Sequence, residues 1–383
     1  MRNIFYFVIV IYIVNSSIIF SQEPIIANHT IAKLSNLPDD WIDSAKTKLH
    51  IAYGHTSHGS QLITGMEGIE NWKGSKYSFN EGGLNGALDL DDYAFSGASD
   101  LGSPDRVAWE TATRNYLIDP LNSDVNVVIW SWCGQVSSAT EEDINIYLNL
   151  MNGLEYDYPN IKFVYMTGHL DGTGVDGNLN QRNEQIRNYC LTNGKILYDF
   201  NDIESYDPDG NYYLDKYAND NCDYDSDGNG SLDKNWAIDW QNSHIINVDW
   251  YDCSPAHSQA LNGNLKAYAA WWLWAKLAGW DSASNVGSSN ENVMMNYQLF
   301  QNYPNPFNPN TRISFRLMKQ NYISLKVYDQ LGSEIEILVN LLLLPEGYYE
   351  YNFNSKNYST GIYFYRLQIG SEFSDSKKMI LLK

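Results

Sequence analysis

The residues best suited to chemistry in this 383-residue sequence are a serine, a histidine and an aspartate that could act together. Ser57 lies in the turn GHTSHGS, where the neighbouring glycines could expose its hydroxyl group as a nucleophile. His257 could take the proton of that hydroxyl, and Asp252 could orient the imidazole, with Asp249 as the other candidate acid. The alternative is that Ser57 caps a helix and His257 is a structural histidine. The catalytic interpretation predicts a serine hydrolase.

Such a hydrolase also needs hydrogen-bond donors for the oxyanion that forms when the nucleophile attacks. The side-chain amide of Gln135 and the backbone amide of Ser57 are two candidates. A glycine amide from a further loop, Gly97 or Gly102, is the third. We therefore expect the loops that contain these residues to meet.

Further imidazoles surround the proposed nucleophile. His55 and His58 flank it, while His169 and Asp171 lie in another polar segment, GHLD. We expect these four side chains to bind substrate. The alternative is a catalytic zinc site formed by His55, His58 and His169 with His257, because zinc accepts nitrogen and oxygen ligands. The two flanking histidines do not form the helical HExxH signature.

An acidic run later in the sequence has the composition of a calcium loop. Residues 223–233, DYDSDGNGSLD, alternate oxygen donors with glycines that permit a sharp turn. The run departs from the EF-hand pattern because Lys234 stands at its twelfth position. The alternative is a solvated acidic turn. We expect calcium to order the long insertion 201–247 without a role in chemistry. The candidate ligands are Asp223, Asp225, Asp227, Asn229 and Asp233.

The segments that must position these residues alternate between strand and helix patterns. Apolar runs of strand length occupy residues 48–53, 125–132, 161–167 and 195–200. Apolar residues recur at helical spacing in residues 140–153, 183–191 and 264–277. This alternation predicts an α/β fold with a parallel sheet covered on both faces. The segments of Ser57, Gln135 and His169 each follow a predicted strand, so they should converge at the carboxyl ends of the strands, where such sheets bind ligands.

The order of these features resembles the SGNH/GDSL esterase family over residues 48–280. The shared pattern is a serine after the first strand, a glycine loop, an amide after a middle strand, and an acid and a histidine before the last helix. The resemblance implies a flavodoxin-like parallel sheet and ester hydrolysis. This sequence departs from the family in having HTSHG instead of GDS, Gln135 instead of asparagine, and Ser254 where the family places its aspartate.

The net charge limits the class of protein, and the first residues indicate where it is located. Asp and Glu number 46 against 25 Lys and Arg, a net charge of −21, which excludes a nucleic-acid binder. Residues 1–21 combine Arg2 with a long apolar run and are typical of a secretory signal peptide, with a membrane anchor as the alternative. Outside the cytoplasm the four cysteines permit two disulfides with three possible connectivities, and our hypothesis is that Cys222 pairs with Cys253.

The C-terminal residues form a separate predicted domain. Residues 281–296, DSASNVGSSNENVMMN, are a predicted linker. Residues 313–317, 323–328 and 361–367 alternate with period two, which predicts a small all-β, Ig-like sandwich over residues 297–383. The motifs NYPNPFNP, VYDQLG, GIYFY and KKMILLK follow in order and are similar to the sorting domain of type IX secretion. This resemblance implies a partner in the secretion machinery and a location at the outer cell surface or outside the cell.

Together these patterns predict four parts: a signal peptide (1–21), an SGNH-like α/β domain (22–280), a linker (281–296) and a sorting domain (297–383). The predicted function is a secreted esterase that deacylates a carbohydrate or related extracellular substrate. Two alternatives are a non-catalytic, calcium-dependent glycan-binding protein and a metal-dependent hydrolase that uses His55, His58 and His169.

Overall fold

The computed structural model describes residues 23–281, 298–317, 320–330, 332–345, 347–369 and 373–383. The predicted signal peptide and most of the predicted linker lie outside these residues. Contacts divide the chain into two compact units on either side of the bond between Asp281 and Ser282. Among the described residues, the structure has no helix with the length and apolar character needed to cross a membrane.

The first unit contains a parallel sheet of seven strands and a short separate hairpin. In chain order the strands of the sheet are β1 (Ile25–Ala27), β2 (His50–Gly54), β3 (Phe79–Asn80), β4 (Leu88–Asp92), β5 (Val127–Trp130), β6 (Lys162–Met166) and β7 (Ile196–Tyr198). The hairpin consists of β8 (Asp223–Tyr224) and β9 (Lys234–Asn235). The spatial order of the sheet is β1-β7-β6-β5-β2-β4-β3, with every pairing parallel.

Eight α-helices accompany these strands. They are α1 (Asp39–Lys48), α2 (Ser60–Lys73), α3 (Ala108–Leu117), α4 (Glu141–Asp157), α5 (Asn178–Thr192), α6 (Phe200–Glu204), α7 (Trp236–Ser243) and α8 (Ala260–Leu277). The prediction of an α/β fold with a parallel sheet is confirmed. Helix α4 begins at the capping box of Thr140 and Asp143. The helical pattern of residues 140–153 predicts its start, but Gly153 does not end the helix, which continues to Asp157.

Helices cover both faces of the sheet, because successive strand residues point to opposite sides. Ile51 and Tyr53 pack into one apolar core with α1, α2 and α8, whereas Ala52 packs into a second core with α3, α4 and α5. Strand β5 divides its residues in the same way, with Val127 and Ile129 in the first core and Val128 and Trp130 in the second. A strand buried on both faces has a nearly continuous apolar sequence, and residues 125–132 follow this pattern except at Asn126 and Ser131.

The order of the strands creates a switch point between β2 and β5. Strand β2 pairs with β4 on one side and with β5 on the other, and the chain leaves β2 toward β3 and β4 before it returns to form β5. The loops after β2 and β5 therefore diverge to opposite faces and leave a crevice at the carboxyl ends of these two strands. Ser57 and His58 follow β2, and Cys133 follows β5.

The second unit is an antiparallel β structure built from two sheets. Its strands are β10 (Gln298–Leu299), β11 (Asn310–Leu317), β12 (Asn321–Tyr328), β13 (Glu334–Leu344), β14 (Gly347–Asn354), β15 (Gly361–Ile369) and β16 (Phe373–Leu381). One sheet has the order β10-β11-β14 and the other β13-β12-β15-β16. Phe315 of the first sheet and Leu325 and Tyr365 of the second share one apolar core. The all-β prediction is confirmed, and the Ig-like topology stays a prediction.

Candidate active site

His58 lies between a thiol and a carboxylate at the switch point of the sheet. Its Nδ1 is 3.2 Å from Sγ of Cys133, and its Nε2 is 3.0 Å from Oδ2 of Asp220. The imidazole is buried, while the cysteine and the aspartate are partly buried. A protonated imidazole donates from both nitrogens, so this arrangement suits an imidazolium between a thiolate and a carboxylate.

The electrostatics of the three groups favour that charge state. Burial by itself would lower the pKa of His58, but the hydrogen bonds with Asp220 and Cys133 outweigh it and raise the pKa to about 9. The hydrogen bond with His58 lowers the pKa of the Cys133 thiol to about 7, against the opposing effect of burial. Near neutral pH a large fraction of Cys133 is therefore thiolate, the nucleophilic form of cysteine.

A close approach at Gly59 shapes the turn that presents His58. A Cβ atom on Gly59 would lie 2.3 Å from Oγ of Ser131 and 2.4 Å from Cβ of His55, so only glycine fits there. The hydroxyl of Tyr53 donates to the Gly59 carbonyl over 3.0 Å. Helix α2 begins directly afterwards, and its N-cap residue Gly59 has no side-chain cap. Ser57 therefore does not cap this helix, contrary to the structural alternative considered for it.

Asp100 joins the loop of Cys133 to two other loops. Its Oδ1 accepts from the side-chain amide of Gln135 over 3.1 Å and from the Gly102 amide over 2.8 Å, and its Oδ2 accepts from Oγ1 of Thr56. The Gln135 side chain also accepts from the backbone amide of Cys133 over 3.0 Å. The carbonyl oxygen and the amide nitrogen of the Gln135 side chain thus both stabilise the Cys133 loop. The sequence pattern gave no indication of Asp100.

His169 stacks directly on His58. The two rings lie 3.6 Å apart between centroids and are parallel within 1°. Nδ1 of His169 donates to the carbonyl of Leu170 over 2.7 Å, which leaves the proton off Nε2 when the ring is neutral. Burial lowers the pKa of His169, so the neutral form is favoured. Its buried Nε2 has no hydrogen-bond partner among the described residues.

A buried polar network lies beneath these loops. Nζ of Lys266 donates to Glu204 over 2.6 Å and also to the side-chain carbonyl of Gln61. Glu204 accepts in addition from the Leu170 amide over 2.8 Å. Gln61 donates to the carbonyl of Ala256 over 2.5 Å. The network therefore fixes the backbones beside both His169 and His257.

The residues of the predicted serine mechanism lie in the same region but make few contacts with one another. Oγ of Ser57 lies 3.9 Å from Sγ of Cys133. His257 is exposed, has a positive φ of 61°, and stacks on His58 with 4.7 Å between centroids. Within the part of the chain that the structure describes, no hydrogen bond joins His257 to Ser57 or to Asp252, which is exposed. These three roles stay predictions.

The remaining predicted site residues have other partners. Nε2 of His55 lies 2.5 Å from Asp92, and its Nδ1 lies 2.9 Å from the carbonyl of the next residue. Asp171 accepts from the amide and the hydroxyl of Thr173 in its own turn. Gly97 is exposed and has a φ of 100°. Their roles in binding substrate or the oxyanion stay predictions.

Two groupings bear on metal binding. Ligand atoms of His58, His169 and Asp220 lie within 4.8 Å of one another. These three side chains could therefore hold a metal ion, with Asp220 as a ligand that the predicted zinc site did not include. In the predicted calcium loop, Asp225 accepts backbone N–H groups, including those of Gly228 and Gly230. These bonds lower the pKa of Asp225. Calcium binding stays a prediction.

All four cysteines are free thiols in the structure, so the expected bond between Cys222 and Cys253 is not formed. Cys222 instead lies 3.7 Å from the hydroxyl of Ser258, and Cys253 lies 3.5 Å from the carbonyl of Ala260. Burial raises the pKa of both thiols to about 12. Cys133 differs from them in that its thiol pKa is lowered.

Comparison with known proteins identifies the C-terminal unit. Residues 301–382 match the family described as "Secretion system C-terminal sorting domain". This segment is therefore the sorting domain of type IX secretion that its motifs predict. It marks the protein as secreted and attached to the cell surface or released. No curated protein matches the sequence.

Solved structures similar to this chain include a β-glucosidase from Listeria innocua in complex with isofagomine, with 11% identity over 87% of this chain and 46% of that one, at a TM-score of 0.23. An FMN-binding β-glucuronidase from Facaelibacterium prausnitzii L2-6 has 7% identity over 71% of this chain and 44% of that one, at a TM-score of 0.19. The chain spans about half the length of the solved chains it matches. These TM-scores are too low to carry an argument about fold or function.

Proposed function

We propose that this protein is a secreted acyl hydrolase that cleaves ester bonds through a covalent intermediate on Cys133. The observation that carries the proposal is the position of His58, with Nδ1 3.2 Å from the Cys133 thiol and Nε2 3.0 Å from Asp220. A nucleophile, a base within hydrogen-bonding reach and a third group that orients the base are the signature of covalent catalysis. The site lies at the switch point of the sheet, where open α/β folds bind ligands.

The proposed reaction has two steps, acylation of Cys133 and hydrolysis of the resulting thioester. The Cys133 thiolate attacks the carbonyl carbon, the bond to the alcohol oxygen breaks, and His58 gives its Nδ1 proton to the departing oxygen. A thioester and a free alcohol result. Water then attacks the thioester while His58 takes one of its protons, so that the acid leaves and Cys133 regains its thiolate form beside a protonated His58. Asp220 orients the imidazole and stabilises its positive charge throughout.

Serine catalysis within an SGNH-like fold is the second candidate. Two contacts place its residues beside the same site: Oγ of Ser57 is 3.9 Å from Sγ of Cys133, and His257 stacks on His58. Ser57 would then attack, His257 would act as base and Asp252 would orient it, in the same crevice and on the same class of substrate. A carbohydrate ester is the proposed substrate, since the protein is exported and its α/β unit is rich in tryptophan.

Two covalent probes distinguish these nucleophiles. Iodoacetamide alkylates reactive thiols, and a fluorophosphonate labels activated serines. We expect iodoacetamide to label the wild-type protein at neutral pH and Cys133→Ala to lose that label. Cys253→Ala is the matched control, because burial raises the pKa of its thiol to about 12, and it should keep the label.

Hydrolysis of p-nitrophenyl acetate by the same variants completes the test. Cys133→Ala should abolish turnover while Ser57→Ala retains it. Fluorophosphonate labelling that disappears in Ser57→Ala would instead establish the serine mechanism. Turnover that survives both substitutions but not a chelator would indicate the metal-dependent alternative. A folded protein without turnover or label would favour the glycan-binding alternative.

A further inference from the structure

The buried Nε2 atom of His169, whose ring stacks on His58, has no hydrogen-bond partner among the described residues. The hydrogen bond from Nδ1 to the Leu170 carbonyl fixes the proton on Nδ1, so Nε2 offers a lone pair. The residue is only 8% exposed. A buried acceptor without a partner is costly, and such an atom at a functional site calls for a ligand.

Gly134 lies beside this nitrogen and has no side chain to fill the space next to it. A Cβ atom built on Gly134 would stand 3.9 Å from Nε2 of His169, a distance at which a methyl group would touch the nitrogen. Gly134 directly follows Cys133, so this space adjoins the proposed nucleophile. The absence of a side chain at residue 134 leaves the space beside the acceptor free for part of a substrate bound at the thiol.

The stacking of the two histidines indicates which part of the substrate reaches His169. The departing alcohol oxygen must lie beside Nδ1 of His58 to receive its proton. The His169 ring lies 3.6 Å from the His58 ring and parallel to it, so a group attached close to that oxygen falls next to His169. A neutral acceptor there binds a hydroxyl group, whereas an alkyl group at the same position leaves the acceptor itself without a partner.

We propose that His169 selects esters of polyols, by accepting at Nε2 a hydrogen bond from a hydroxyl group adjacent to the scissile ester oxygen. This inference rests on the proposed ester hydrolysis and adds the chemistry of the alcohol. Gly134 contributes to this selection, because it leaves the space beside the acceptor free. The selection acts on the alcohol side of the substrate and leaves the identity of the acyl group open.

A pair of isosteric esters tests the selection. 2-Hydroxyethyl acetate and propyl acetate differ only in a terminal hydroxyl or methyl group. We expect the wild-type kcat/KM to favour the hydroxy ester by roughly 10- to 100-fold, as a site with a buried acceptor rejects the analogue without the donor. His169→Phe retains an aromatic ring to stack on His58 but has no acceptor, so this ratio should fall close to one.

Two further variants show whether a change in this ratio comes from lost selection of the hydroxyl group or from damage to the site. Gly134→Ala should lower the ratio by filling the space before Nε2. His257→Phe replaces the other ring that stacks on His58 and should leave the ratio unchanged, whatever it does to the rates. Equal kcat/KM values for the two esters in the wild type, or a ratio that survives His169→Phe, would overturn the inference.

A binding measurement keeps the inference testable if neither ester is hydrolysed. 5-Hydroxypentan-2-one and hexan-2-one replace the ester oxygen with carbon and cannot be hydrolysed. The hydroxy ketone should protect Cys133 from iodoacetamide at lower concentration than hexan-2-one, and His169→Phe should remove the difference. Selective protection without hydrolysis would support the role of His169 and contradict the proposed function, while equal protection by both ketones would contradict the role of His169.

Discussion

The ammonium group of Lys266 lies 2.6 Å from the carboxylate of Glu204, with both side chains almost completely buried. Glu204 also accepts from the Leu170 amide, and Lys266 reaches Gln61, which holds the Ala256 carbonyl. One buried ion pair therefore supports the loops of His169 and His257. A charge pair of this kind is costly to bury, and breaking it leaves one charge without compensation.

We expect Lys266→Met to lower the free energy of unfolding of the α/β unit by about 3–5 kcal/mol, because Glu204 would remain buried and unpaired. Urea unfolding followed by tryptophan fluorescence measures this unit alone, since all 12 tryptophans precede residue 282. Lys76→Met is the matched control. Lys76 pairs with the exposed Asp39, so its loss should cost less than about 1 kcal/mol. Similar effects of the two substitutions would contradict the structural role of the buried pair.

Two helical glycines should respond in opposite ways to substitution by alanine. A Cβ on Gly65 in α2 would lie 2.0 Å from the Gly263 carbonyl oxygen in α8, so Gly65→Ala must push the two helices apart. We expect this substitution to lower the free energy of unfolding by about 1–3 kcal/mol. On Gly153 in α4 the nearest atom would be Arg114 Nη2 at 4.0 Å, so Gly153→Ala should stabilise the unit by up to about 1 kcal/mol. A stable Gly65→Ala protein would show that α2 and α8 do not approach this closely.

The reactivity of Cys133 should depend on pH in a way that ordinary thiols do not. Because contact with His58 lowers the pKa of this thiol to about 7, alkylation by iodoacetamide should accelerate as the pH rises through about 7. Replacing His58 with glutamine removes the imidazolium, so the same acceleration should move to higher pH. An unchanged pH profile in His58→Gln would mean that the imidazole does not activate the thiol.

Hydrolysis should have a bell-shaped pH profile with limits set by the same pair. Below about pH 7 the thiolate is protonated, and above about pH 9 His58 loses the proton that the leaving group needs. The hydrogen bond with Asp220 raises the pKa of His58, so Asp220→Asn should shift the upper limit to lower pH and reduce kcat by about 10²-fold or more. A rate change without a shift of the upper limit would assign Asp220 a purely structural role.

The sequence predicted the parts of this fold that follow from local pattern. Apolar runs indicated strands β2, β5, β6 and β7. The polar segments after three of them contain His58, Cys133 and His169, and His58 contacts both of the others. Strand β1 is only three residues long, and β4 alternates leucine with aspartate, so neither has the apolar signal of a buried strand. Their pairing depends on the tertiary fold.

The partners of His58 could not be found in the same way. Asp220 lies in an insertion without apolar periodicity, and only the folded chain carries it to the imidazole. In the sequence Cys133 is one cysteine of an even set, which is typical of disulfides. The available signal is position, because Cys133 and His58 each follow a predicted strand, and the carboxyl ends of parallel strands meet at one edge of a sheet.

Mapping the acyl group in the covalent intermediate identifies the nucleophilic side chain. The protein would be mixed with p-nitrophenyl acetate, quenched in acid within one turnover, digested and analysed by mass spectrometry. Catalysis by Cys133 requires one acetyl group on the peptide that contains Cys133 and none in the Cys133→Ala protein. An acetyl group on Ser57, or turnover of the ester with no acylated peptide, would contradict it.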